Sequence, residues 1–248
     1  MLITGDMKMA DVIHLNHHLL HMINRFGIQL GFGDRTVNEV CQHYDVHADF
    51  FLQLVNTFHD PSYFPLNELQ NFPPGVLVDY LHKTHQFYLE VKIPEIEELI
   101  AQLETLSGID IDHIKLLEDF FRQYKQELTS HINKEEQRVY PYVKALENAL
   151  FTQNPDMSNC DNCREYSIQQ YEDDHDDVES KLFDLKNIII KYMPAPKDSR
   201  MFNIILHELF ELEKDLNNHG HIEDLILVPM VERMEKEINQ LRAGNTVM

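Results

Sequence analysis

The sequence predicts an all-α protein, an up-down-up-down four-helix bundle preceded by a small N-terminal helical domain. Three observations carry that expectation. The 248 residues include only 8 Gly and no Trp, and long stretches pass without the period-two alternation of β-branched and polar residues that marks strands. Beyond residue 75, four long segments carry apolar residues at helical spacing and are joined by short polar stretches, the pattern of a bundle with antiparallel neighbours. Two of those segments share one motif, His131-x3-Glu135-x5-Pro141 and His219-x3-Glu223-x5-Pro229, with the copies 219 − 131 = 88 residues apart.

Residues 1–57 read as the small helical unit. Asp11 to Phe26 has apolar residues at helical spacing (Val12, Ile13, Leu15, Leu19, Leu20, Met22, Ile23), and Gly27 stops it. The glycines of Gly27-Ile-Gln-Leu-Gly-Phe-Gly-Asp34 suit a turn, and Thr36 and Asp45 are the expected N-caps of two further short helices ending near Thr57. Pro61, Pro65, Pro73 and Pro74 make residues 58–75 a linker and place a domain boundary there. The bundle then occupies 76–243. Its helices are expected over Val76–Leu106, with Pro94 as a kink or a new start, Asp110 to about Phe151, Glu165–Tyr192, and Ser199 to about Leu241.

In a helix, residues four apart lie on one face with Cβ atoms roughly 5–6 Å apart, so each copy of the motif aims one imidazole and one carboxylate at the same point. A single copy would read most simply as a solvated i,i+4 pair; the duplication, with proline at the same offset, turns the pair into two halves of a shared metal site. Helices one and three should then each supply one more ligand at the same depth. In helix three His175 is the sole histidine, flanked by acids able to hold its second ring nitrogen. In helix one the candidates are His82 and His85, and His85 is preferred. Four imidazoles with two carboxylates suit two bridged borderline metals such as iron better than a four-coordinate structural zinc or an all-oxygen calcium site.

Other histidines have weaker claims. The chain carries 15 His, and a surplus of the commonest metal ligand raises the expectation of a metal without locating it. His14, His17, His18 and His21 share one helical face but have no carboxylate at matching spacing, which favours a plain polar face. His113 and His207 are weaker still, with a channel or core role open to His207, and His221 points to another side of its helix than His219. Cys41 reads as a core residue.

On the paired His-x3-Glu-x5-Pro motif, the Glu-x-x-His175-Asp segment and the Leu77-x-Asp79-Tyr80-x4-His85 opening, the helices from about Leu77 to Met234 resemble a hemerythrin-type bundle. With residues 9–57 they resemble the RIC family of di-iron proteins that repair iron–sulfur clusters. The resemblance implies bridging carboxylates at Glu135 and Glu223 and imidazole ligands at His131, His175 and His219. Counted back from Pro94, the family's first ligand falls on Gln86, one residue after His85, and one residue turns a helical side chain by about 100°. The family's N-terminal turn carries two adjacent cysteines where this chain has Leu30-Gly-Phe-Gly33. Cys160-Asp-Asn-Cys163 is the only replacement pair, in a loop without the helix N-terminus that activates such thiols.

The formal charge of −21 sets the surface against nucleic acid and anionic membranes. No basic-then-apolar leader opens the chain and no apolar run reaches membrane-spanning length, so a cytoplasmic protein is expected, and 3 Cys fit a reducing compartment. No nucleophile with an adjacent base, phosphate loop or nucleotide fingerprint appears. The expected cofactor is two non-haem iron ions. The resemblance implies O2 or NO as small ligands, damaged iron–sulfur proteins as partners and a homodimer. A di-iron sensor or iron store, and a metal-free helical interaction protein suggested by Gln86, are the rival expectations.

Overall fold

A computed structural model describes residues 1–106, 110–154, 166–173, 178–195 and 198–245. Among them the protein is an all-α helical bundle, and the one β-type pairing is an isolated bridge between Lys8 and Thr36. Five short helices come first: α1 (Met9–Leu15), α2 (Leu19–Arg25), α3 (Val37–His43), α4 (Ala48–His59) and α5 (Leu66–Leu69). The long helices follow. α6 (Pro74–Phe87) continues into α7 (Ile93–Leu106), α8 (Ile111–Lys134) into α9 (Tyr140–Phe151), and α12 (Arg200–Ile222) into α13 (Val228–Asn245). The third rod contributes α10 (Ile168–Asp173) and α11 (Val178–Asn187).

The N-terminal region departs from its sequence reading in two places. The expected single helix over Asp11–Phe26 is broken at Asn16, whose backbone is extended and whose side-chain oxygen accepts the His18 N–H, a local bond that competes with the helix. The four histidines of that stretch are all exposed; His14 lies in α1, His21 in α2, and His17 and His18 in the turn between them. Thr36 caps α3 in a capping box with Glu39. Asp45 does not cap α4; it takes a left-handed conformation (φ 54°), and His47 is the N-cap, its ring nitrogen accepting the Phe50 N–H. Within the proline-rich 58–75 stretch lies α5, and Pro74 sits in the first turn of α6, where its missing N–H costs nothing.

Three of the long rods are interrupted by a π-turn and the third rod ends in one, and all four turns stand before a proline. The turns are Tyr88–Lys92, Glu135–Val139, Ile188–Tyr192 and Glu223–Leu227. In each, the residue preceding Pro94, Pro141, Pro194 or Pro229 donates its N–H to the carbonyl five residues back, on Tyr88, Glu135, Ile188 and Glu223 respectively. The cause is steric: a proline ring collides with the carbonyl four residues back and supplies no N–H, and widening the turn by one residue relieves both problems. The x5-Pro half of the repeated motif is thus a π-turn signal that begins on the motif's glutamate.

α6 packs on α9, α7 on α8 and α12, and α11 on α8 and α12, which closes the four rods around one axis. Two apolar clusters fill the interior. One runs from α1–α4 through Leu77, Leu81, Tyr142, Val143, Leu146, Leu227 and Val231, and so joins the N-terminal helices to one end of the bundle. The other fills the far end with residues such as Ile96, Leu103, Leu117, Leu128, Leu182, Ile205 and Leu212. Between the clusters, three of the rods place the buried polar side chains Thr84, His85, Glu135, His219 and Glu223.

Candidate metal centre

Burying unpaired charge is costly, so a layer of buried carboxylates and imidazoles must satisfy itself or a cation. Glu135 is 0% and Glu223 1% exposed, with His85 at 2% and His219 at 5%. One ligand-type atom from each of these four residues lies within 4.8 Å of every other. They arrive from three rods. The end of α8 and the start of its π-turn give His131 and Glu135, the same positions of the α12 rod give His219 and Glu223, and α6 gives His85.

His85 Nε2 lies 3.1 Å from His219 Nε2 and 3.1 Å from Glu135 Oε2. His131, half-buried, places Nε2 3.1 Å from Glu135 Oε1, and His219 Nε2 is 3.3 Å from Glu223 Oε2. The two oxygens of Glu135 therefore face different imidazoles. Two tyrosines close the layer: Tyr140 donates its hydroxyl to Glu223 Oε1 at 2.9 Å, and the Tyr171 hydroxyl reaches Glu135 Oε1 at 2.9 Å and Glu223 Oε2 at 3.2 Å.

These contacts shift the titrations. Burial alone would push the His85 imidazole down, but the hydrogen bonds to Glu135 and Glu136 win and raise it to about 9. His131 is likewise held above its ordinary value against burial by Glu135. Burial would raise Glu135, yet the bonds from His131 and His85 hold it well below the usual carboxylate range. Tyr140 and Tyr171 are pushed up, first by burial and then by the two carboxylates, so both phenols stay protonated donors.

Of the residues singled out from sequence, His85, Glu135, His219 and Glu223 meet in one cluster and His131 borders it through Glu135. His175, Cys160 and Cys163 lie outside the described residues. The choice within helix one resolves in space: His85 is buried, whereas His82 and Gln86 are exposed. α6 supplies the reason: Leu77, Leu81 and His85 follow one another at four-residue steps on its buried face, and Gln86 is turned from that face by about 100°. His113, His207 and His221 are exposed, so His207 has no core role. Cys41 is fully buried, and burial raises its thiol to about 11. Sequence reasoning passed over Tyr140, Tyr171 and Glu136. Tyr171 stands four residues before His175, and Tyr140 precedes the motif proline; those spacings were the available signals.

The donor set fits a cation. Two imidazole Nε2 atoms converge with two carboxylates in a dry layer, and bare lone pairs so close to one another repel unless a proton or a metal lies between them. Among described residues the layer has no lysine or arginine within its contacts that would neutralise both carboxylates. The comparisons with known proteins agree. A family model described as the hemerythrin HHE cation binding domain matches residues 94–231. The chain is similar to the iron-sulfur cluster repair protein ScdA of Staphylococcus haemolyticus (strain JCSC1435), 19% identical over 228 residues that make up 91% of this chain and 98% of the relative. The ScdA of Staphylococcus epidermidis (strain ATCC 12228 / FDA PCI 1200) is 19% identical over 155 residues, 62% of this chain and 65% of the relative. No solved structure matches the chain.

Proposed function

The chain belongs to the hemerythrin HHE cation-binding family, and from that membership we propose that it holds two non-haem iron ions and serves in the repair of iron–sulfur clusters under oxidative or nitrosative stress. The observation that carries the two-metal reading is Glu135, with His131 on one carboxylate oxygen and His85 on the other. A carboxylate so divided would hold a cation on each of its oxygens, and Glu223, beside His219, would be the second carboxylate of the set. The iron ligands in this reading are His85, His131, Glu135, His219 and Glu223, with His175 completing the set. A mixed nitrogen and oxygen donor set of this kind suits iron.

When bound, such a pair of irons supplies one-electron chemistry and coordination positions for O2 or NO. The protein's own contribution is a dry layer between two apolar clusters, in which Tyr140 and Tyr171 orient the carboxylates and keep water from them. The repair assignment is supported by the similarity to ScdA along nearly the whole chain. Damaged iron–sulfur proteins are then the partners. No helix among the described residues is long and apolar enough to cross a membrane.

The test is iron content and the ultraviolet–visible spectrum of protein purified without oxygen, before and after air, followed by incubation with a cluster-damaged iron–sulfur protein. About two irons per chain and regained cluster absorbance in the client are expected. Less than half an iron after reconstitution would sink the centre. Two irons that react with NO or O2 without restoring any client would assign the protein to sensing or storage.

A further inference from the structure

Outside the donor atoms themselves, one carboxylate is shared between two histidines of α6. Glu136 lies next to Glu135 in the chain but turns away from the donor cluster. Its Oε1 is 2.7 Å from His85 Nδ1, and its Oε2 is 2.8 Å from His82 Nδ1. An ionised carboxylate only accepts hydrogen bonds, so each of those Nδ1 atoms carries the proton and donates. For His85 that leaves Nε2 as the nitrogen facing His219 and Glu135. The chain of bonds runs from a surface side chain to the interior: side-chain exposure falls from 47% at His82 through 24% at Glu136 to 3% at His85.

We propose that Glu136 and His82 form a clasp that fixes His85 as the first rod's ligand, with Glu136 the positioning residue that sets its tautomer and ring orientation and His82 the residue that holds Glu136. The inference rests on the metal reading above and goes beyond it in naming what makes His85 competent. Three observations single this histidine out. It lies outside the segment matched by the family model, 94–231. It sits on the buried face of α6, four residues after Leu81 and one turn before the π-turn at Tyr88–Lys92. And the second copy of the motif builds no matching device: Asp224, the counterpart of Glu136, is exposed, and His219 Nδ1 is buried without a hydrogen-bond partner among the described residues. The carboxylate that follows the bridging glutamate is thus used on one side of the centre only. A metal-ligating histidine whose other nitrogen donates to a carboxylate is a stronger and better-oriented donor, and loss of such a partner typically costs 10–100-fold in metal affinity.

The test uses the full chain with E136A, E136Q, E136D and H82A. Iron(II) is titrated anaerobically against a coloured chelator, and the reduction potential of the loaded protein and the melting curve of the metal-free protein are recorded beside it. E136A is expected to weaken iron binding about 10–100-fold and to raise the reduction potential, because a histidine without an anionic acceptor stabilises the oxidised metal less. E136D should recover much of both, E136Q less, and H82A should show a smaller loss of the same sign. A merely structural role would lower the metal-free melting point and leave the potential where it was; that pattern overturns the clasp. Wild-type affinity and potential in E136A also overturn it while leaving the metal centre standing. A wild-type chain that takes up no iron overturns both. If E136A does not fold, the near-isosteric E136Q carries the same readings.

Discussion

Residue by residue, the layer is a contest between desolvation and pairing, and protons decide it while the cation is missing. The His85 imidazole is raised to about 9 from its ordinary 6.5, so in the metal-free protein it contributes stability that is complete below about pH 6.5 and disappears as the pH rises through 9. Glu135 works in the opposite sense: lowered from its ordinary 4.5, it contributes above that value and fails as the pH falls through its depressed folded value. Their joint contribution is therefore greatest between about pH 4.5 and 6.5. A metal must displace the His85 proton, so iron affinity should climb with pH up to about 9, with proton release at neutral pH measurable by calorimetry in buffers of different ionisation enthalpy. Affinity flat between pH 6.5 and 9 would contradict it. The tyrosines give a second residue-scale prediction. Tyr171→Phe removes a buried donor shared by both carboxylates and should cost the metal-free protein about 1–3 kcal/mol in urea unfolding. The loaded protein, whose carboxylates have a cation, should lose less.

At the scale of elements, the proline-led π-turns set the phase between the two halves of a rod. In the repeated motif the π-turn starts on the ligand glutamate itself, and Pro141 is what forbids the ordinary helical bond there. Pro141→Ala returns an N–H and removes the clash. The turn can then tighten, rotating α8 against α9 by up to about 100°. Retained helicity by circular dichroism with iron stoichiometry falling below two is the expected result; unchanged stoichiometry and affinity would show that packing alone holds the wide turn. This is also where legibility in the sequence divides. The all-α class, the four rods and the His-x3-Glu pairing follow from 3.6-residue periodicity and i,i+4 geometry, which are local. A π-turn adds one residue without disturbing the hydrophobic stripe enough to notice, so none of the four turns was expected, whereas the burial of His85 follows the four-residue steps of α6 from Leu77 and Leu81. The α1–α2 break and the His47 cap were missed for a related reason: a side chain bonding its own backbone outweighs propensity, and Asn16 and Asp45 read equally well as helix interior and cap. Tyr140 and Tyr171 were hidden because a buried tyrosine at helical spacing resembles any other core aromatic.

At the scale of the molecule, the N-terminal helices and the bundle share one apolar cluster, and a single buried cation ties them together. Arg25, at the end of α2, makes a two-pronged ion pair with Asp215 of α12, and its guanidinium lies 4.7 Å from the centroid of Phe87 and 5.6 Å from that of Tyr88. Asp215 is one turn before His219, and Tyr88 opens the π-turn behind His85, so the pair braces the outer wall of the metal layer without touching a donor atom. Removing one partner of a buried ion pair leaves the other uncompensated and typically costs 3–5 kcal/mol. The Asp215 side chain keeps 19% exposure, which places Arg25→Ala toward the lower end, at about 3 kcal/mol. Arg25→Met, which fills the space against Phe87 and Tyr88 without a charge, should recover part of that loss only if packing contributes as much as pairing. Because the brace acts on the wall and not on the ligands, iron stoichiometry in both variants should remain at two per chain, while the stability gained on loading, which follows RT ln(1 + [L]/Kd), should be the same as in wild type. Urea unfolding with and without iron reads both quantities at once. Equal destabilisation in the two states is the expected outcome, and a loss confined to the loaded state would mean that the N-terminal helices act on the centre itself.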